Sequence, residues 1–156
     1  MQRHHLLPRQ AINSPGLAAM FDRLGHGEIG FEDFRANGML LPSSIGAAMR
    51  SGLPLHRGPH RRYNEVVLER VGTIEAGWQL ASAKSDFQAR HEALMRLGLL
   101  RAALRRQLMQ REHRSLFLNR KDPFRAGVDF SHLDAMADVL WSATSPTTDF
   151  QAAFSK

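Results

Sequence analysis

Cysteine is absent from this 156-residue chain. There is therefore no disulfide framework, no thiolate metal site and no thiol nucleophile, and any metal must be held by His, Asp, Glu, Asn or the backbone. No apolar run reaches the roughly 18 residues of a membrane span. The first ten residues, MQRHHLLPRQ, lack the apolar stretch of a secretory signal. Lysine is scarce, occurring only as Lys84, Lys121 and Lys156, so arginine carries most of the positive charge. With 12 Gly and 7 Pro the chain is neither fibrous nor of low complexity. It contains no internal repeat.

What is present is a chain of one-domain length, 43% hydrophobic, that can bury a core. Its net charge of +6 favours a polyanionic partner, most simply nucleic acid. The charge is uneven. Residues 1–62 hold eight Arg against four acidic residues, and five of the eight His. Residues 63–115 hold nine basic against six acidic residues, and residues 116–156 four against five. Basic charge and imidazole thus share one half of the chain, as a metal-dependent phosphodiesterase requires. A gene rich in arginine codons would give a similar arginine bias.

Residues 2–7 read as a short strand ended by Pro8, which cannot donate to a ladder. His4 and His5 are adjacent and on a strand face opposite sides, one toward a metal and one toward a water, unless both are plain surface residues. Ser14 caps a helix that starts at Pro15, buries Leu17, Met20, Phe21 and Leu24, and stops at Gly25. His26 reads as a solvated loop residue, and residues 29–35 as extended or a short helical turn. Asn37-Gly38 is a turn signal before the strand Met39-Leu40-Leu41, stopped by Pro42. Ser43 or Ser44 caps a short helix through Met49, ended by Gly52 and Pro54.

A long helix is expected from about Pro59 toward Trp78, buried through Val66, Val67, Leu68, Val71 and Ile74, with a bend or an end between Gly72 and Gly77. A second starts at Ser85 with Phe87, Leu94, Leu97, Leu100, Leu104 and Leu108 inward. Arg90, Arg96, Arg101, Arg105, Arg106 and Arg111 line its other faces, either solvated or set against nucleic acid or an acidic partner. Lys121-Asp122-Pro123 breaks this pattern, and Ser131 caps a last apolar helix, His132 to Trp141.

The most informative stretch is LPLHRGPHRRYNEVVLER, Leu53 to Arg70. His56 and His60 stand four apart where a helix begins, so they are expected to share a face. Two such imidazoles can hold one metal ion, and Arg57, Arg61 and Arg62 beside them can hold phosphates.

Three segments together, HHLLP at 4–8, NGMLLP at 37–42 and LHRGPHRRYNEVV at 55–67, resemble the AHH branch of the HNH and endonuclease VII superfamily, whose shared unit is the ββα-metal (His-Me) finger. The resemblance spans about residues 3–70. Arg3 stands where the family's name-giving Ala would be. The implied fold is α+β and mostly helical: a finger of short β-hairpin plus helix over residues 1–80, and a helical C-terminal extension of unassigned role over 81–156, packed on the core. The resemblance implies that His5 is the general base and that His4, His56 and His60 hold one divalent metal. It places Asn37 behind them, fixing the loop that aims His5. Arg57, Arg61 and Arg62, with Tyr63, are the inferred nucleic-acid contacts.

The implied activity is that of a metal-dependent endonuclease, a hydrolase that cuts DNA (RNA being the other possible substrate) with little sequence specificity. Imidazole ligands are compatible with Mg, Mn, Zn or Ni. Many relatives are bacterial toxin domains met by an immunity protein. The expected location is the cytoplasm, or outside the cell after delivery by a specialised secretion system. Two other readings stand beside this one. In the first, the finger is a non-catalytic nucleic-acid-binding module. In the second, the 85–111 helix is the functional surface of an interaction protein.

Overall fold

The computed structural model describes residues 1–110, 118–122 and 139. The order is β1 (Gln2–His5), a 3-10 turn (Arg9–Ala11), α1 (Pro15–Leu24), α2 (His26–Ile29), α3 (Phe34–Asn37), β2 (Gly38–Leu41), α4 (Ile45–Ser51), α5 (Arg61–Ser82) and α6 (Asp86–Met109). The described residues are mostly helical, with one two-stranded antiparallel sheet, and this is the α+β class expected. The last expected helix, His132 to Trp141, and Arg111 lie outside the described residues.

Local chemistry sets most element ends. Ser44 and Ser85 accept from the backbone N–H groups of Ala47 and Gln88 and so start α4 and α6. Asp33 does the same for α3 through Arg35 N–H, at 2.9 Å. Ser14 stands at the N-cap of α1 without a side-chain bond, and Pro15 opens the helix.

Several expectations change. Asn37, expected in a turn, is the last residue of α3, and β1 and β2 are joined by the 3-10 turn and three α-helices. α5 runs unbroken through Gly72 and Gly77 to Ser82, its packing on α1 and α6 outweighing the modest propensity cost of two glycines. On α6, Phe87 is 80% exposed, since it lies in the first turn beside the helix-to-helix connection. The inward positions are Ala89, Ala93, Leu97, Leu100, Ala103, Leu104 and Leu108, whose small members allow close helix approach.

One core cluster unites the hairpin and the helices. It includes Leu6 and Leu7, Phe21 and Phe31, Tyr63 and Val67, and Leu97 and Leu104. The arginines of α6 add a second kind of tie. Arg90 donates to Leu24 O at the end of α1, and Arg101 to Ile29 O at the end of α2. Arg105 donates to the carbonyls of Arg35, Ala36 and Gly38 around the end of α3. Three short helices thus have their orphan C-terminal carbonyls met by cations from one long helix, which their negative ends favour.

Candidate active site

Antiparallel pairing fixes β1 against β2 with His4 opposite Met39 and His5 opposite Gly38. Alternation gives the two imidazoles different neighbours. The His4 ring lies 5.0 Å from His56, 5.1 Å from His60 and 4.9 Å from Tyr63, centroid to centroid. The His5 ring meets the edge of Phe34 at 6.3 Å. Phe34 also lies against Gly38 so closely that a Cβ there would overlap its ring, so this strand end needs glycine. Arg3 stacks its guanidinium 4.1 Å over the Phe34 ring.

The other two histidines come from a loop, which corrects the expectation of a shared helical face. His56 lies in an irregular segment, and His60 is the N-cap of α5, which begins only at Arg61. The segment is drawn out because His56 N donates to Pro42 O at 2.8 Å, extending the edge of β2. Gly58 then turns the chain at φ +78°, a left-handed conformation costly for other residues. The turn returns His60 to within 4.9 Å of His56, ring to ring.

His4, His56 and His60 converge: one nitrogen from each lies within 4.8 Å of the others. Their surroundings suit ligation. His60 Nδ1 faces the Gly58 carbonyl at 3.1 Å, and an oxygen that only accepts makes this nitrogen the donor. His56 Nδ1 faces Gln2 Oε1 at 3.2 Å. Both rings are thereby left with Nε2 as the lone-pair nitrogen. His4 is 1% exposed, and neither of its ring nitrogens has a partner among the described residues. Buried orphan nitrogens are costly, and a metal ion would satisfy one of them. The donor set therefore fits a divalent cation held by imidazole alone.

Electrostatics keeps the cluster neutral. Burial, then the neighbouring His60, His56 and His5, push the His4 pKa far below the ordinary value. Burial and His60 lower His56 to about 4. Burial also lowers His60, against the pull of the Gly58 carbonyl. His5 is half-buried and is lowered by burial and by Arg9. All four border one cavity of about 260 Å³, with Arg3, Arg9 and Asn64. Neutral imidazoles both ligate metal and accept protons.

Asn37 is fully buried and sits behind this cavity. Its Oδ1 accepts from Leu7 N at 2.7 Å, and its Nδ2 donates to Leu7 O at 3.0 Å and Phe31 O at 3.2 Å. Its own carbonyl accepts from Leu6 N at 2.8 Å. It grips the two residues after His5. Arg57, Arg61 and Arg62 are exposed around the loop and the start of α5. Tyr63 departs from the reading of a nucleic-acid contact. It is 1% exposed and donates its hydroxyl to Leu6 O at 2.8 Å, because its place in the first turn of α5 points it into the core. Burial pushes its phenol pKa up, so it stays a donor.

Sequence reasoning missed several supports. Asp122 Oδ2 accepts from Leu55 N at 2.8 Å, and Asn119 Nδ2 donates to Arg57 O. Nothing local marks these residues, since each acts on a loop more than sixty positions away. Gln2 was equally silent, reading as an exposed strand residue.

A two-stranded antiparallel sheet followed by a long helix, with three imidazoles from β1 and the loop before α5 close enough to share an ion, has the make-up of a ββα finger. The family described as a nuclease family of the HNH/ENDO VII superfamily with conserved AHH matches residues 1–104, and the chain belongs to it. The match runs past residue 70 and takes in most of α6. No curated protein and no solved structure gives a significant match.

Proposed function

We propose that the chain is a metal-dependent endonuclease that hydrolyses phosphodiester bonds of DNA with low sequence specificity. The observation that carries this reading is one cavity bordered by three converging imidazoles and a fourth with no hydrogen-bond partner among the described residues. His4, His56 and His60 would hold one divalent ion, which when bound would draw charge from a phosphate oxygen and the leaving oxygen. Zn, Ni, Mn and Mg all suit such a site in principle, and three imidazoles favour zinc in affinity. His5, neutral near pH 7, accepts the proton of the attacking water at a ring nitrogen. Asn37 holds the chain that aims it. Arg57, Arg61 and Arg62 supply positive charge to the bound backbone.

Low specificity follows from the lack of any groove-reading module among the described residues. A role as a toxin or effector nuclease with an immunity partner rests on the family resemblance. Among the described residues no helix is long and apolar enough to cross a membrane.

Supercoiled-plasmid nicking tests the reading, with Mg, Mn, Zn or Ni, a chelator control and an RNA substrate in parallel. We expect metal-dependent nicking that His5→Ala and His60→Ala each reduce by a factor on the order of a hundred or more. His5→Ala should keep metal affinity and His60→Ala should lose it. Binding of DNA without cleavage under every metal would sink the catalytic reading and leave a binding scaffold. Cleavage of RNA alone would move the substrate class.

A further inference from the structure

A second cavity, of about 650 Å³, opens between α3 and α6. Arg35, Arg101, Arg105 and Arg106 line it, and among the described residues no carboxylate does. Two of the four guanidiniums are held in place. Arg101 is fixed through Nη1 to Ile29 O at 2.6 Å, and Arg105 through Nη2 to three carbonyls. A guanidinium carries five donors, so each keeps N–H groups beyond those bonds. Arg35 and Arg106 are exposed, with no carboxylate partner among the described residues. Four cations lining one cleft repel one another, a cost that carbonyl capping by two of them does not explain for the other two. Burial and the nearby Arg105 lower the Arg101 pKa, though Asp33 opposes this.

The shape separates a polymer from a small anion. Lining residues on α6 run from Gly98 to Met109, a length of about 16 Å at 1.5 Å per residue. That matches roughly five base steps of a nucleic-acid strand at 3.4 Å each. The position ties the cleft to the candidate active site. Phe34 touches His5 and Arg3, while the next two residues of the same helical turn, Arg35 and Ala36, line the cleft. Arg105 bonds the carbonyl of Gly38, the strand partner of His5.

We propose that this arginine cleft is a second phosphate-binding subsite, which holds the DNA backbone a few nucleotides from the bond to be cut. The choice of DNA as occupant rests on the nuclease reading. Arg101 and Arg105 present fixed donors, and Arg35 and Arg106 close on the strand from the rim. The subsite adds affinity for long substrates and no base preference, since phosphates carry no sequence.

The test is equilibrium binding of a labelled duplex of about 30 base pairs to the full chain across a salt series, with chelator present so that no strand is cut. The variant is Arg35→Gln with Arg106→Gln, two exposed positions, and its melting temperature should match the parent. We expect at least tenfold weaker binding at low salt. The slope of log K against log salt should shrink by about 1.8, or 0.9 per lost phosphate contact. The paired Arg→Lys variant should restore the slope. An unchanged slope would overturn the subsite. So would arginine-dependent capture of polyglutamate with no change in DNA binding, which would assign the cleft to an acidic protein. Plasmid nicking by the parent keeps the two readings apart. Nicking with an unchanged slope removes the subsite alone, and a reduced slope without nicking removes the nuclease reading alone.

Discussion

One of the three clustered imidazoles reaches the cavity from a strand and two from an irregular loop, and the two supports are built differently. His4 is placed by the register of β1 on β2, by Tyr63 holding Leu6 O and by Asn37 holding Leu7. These supports lie within the finger, between residues 2 and 63. The loop bearing His56 and His60 is held at Leu55 and Arg57 by Asp122 and Asn119, and at His56 by Pro42. Much of its restraint comes from beyond residue 110. The C-terminal part of the chain is therefore not a bystander to the site.

The same contrast explains what the sequence made legible. The residues that line the candidate site were visible, because neighbouring histidines, an Asn-Gly pair and H-x-x-x-H are local patterns. The caps of α1, α4 and α6 were visible for the same reason. Wherever geometry depended on distant contacts, the local reading slipped. Pro59 fits the first turn of a helix as well as it fits the residue before an N-cap, so His56 and His60 read as helical neighbours. The Pro42 carbonyl and the positive φ of Gly58 decide otherwise. The arginine stripe of α6 read as either solvated or set against a partner, whereas three of its members cap the ends of α1, α2 and α3. Such carbonyl acceptors leave no mark in a sequence, since every residue has one.

Acid should disturb the two supports together and by the largest amount. In the metal-free protein the folded-state pKa values of His4, His56, His60 and His5 all lie below the ordinary 6.5. Above pH 6.5 folded and unfolded chains are both neutral at these groups. Below it the unfolded chain binds protons that the folded chain refuses, so stability falls as pH drops from 6.5, for His56 down to about 4. Each proton difference is worth up to about 1.4 kcal/mol per pH unit. Urea unfolding of chelated protein at pH 7.5 and 5 should show the loss, and His56→Ala should flatten it. Equal stability at both values would contradict the neutral cluster.

On the strand side, Asn37→Ala should cost about 3 kcal/mol or more. It leaves the N–H of Leu7 and the carbonyls of Leu7 and Phe31 without their side-chain partner, and unsatisfied buried groups cost about 1–3 kcal/mol each. Thermal melting should drop by roughly 10 °C at this chain length. Cleavage should fall beyond any loss of folded protein, since His5 loses its anchor. A melting change under about 2 °C would mean that Leu6 and Leu7 are held by the core alone.

On the loop side, Asp122→Ala removes the acceptor of the buried Leu55 N–H, which by itself costs about 1–2 kcal/mol, less than the three bonds lost at Asn37. Its sharper signature is in the metal. A loop freed at Leu55 holds His56 and His60 less firmly, and residues that orient ligands typically matter by 10- to 100-fold in affinity. Isothermal titration with Zn should show that weakening for Asp122→Ala. The urea slope of the protein should stay unchanged, because the folded surface is the same. Zinc affinity equal to the parent's would show that Pro42 and Gly58 suffice to place both imidazoles, and the two supports would then both be finger-borne.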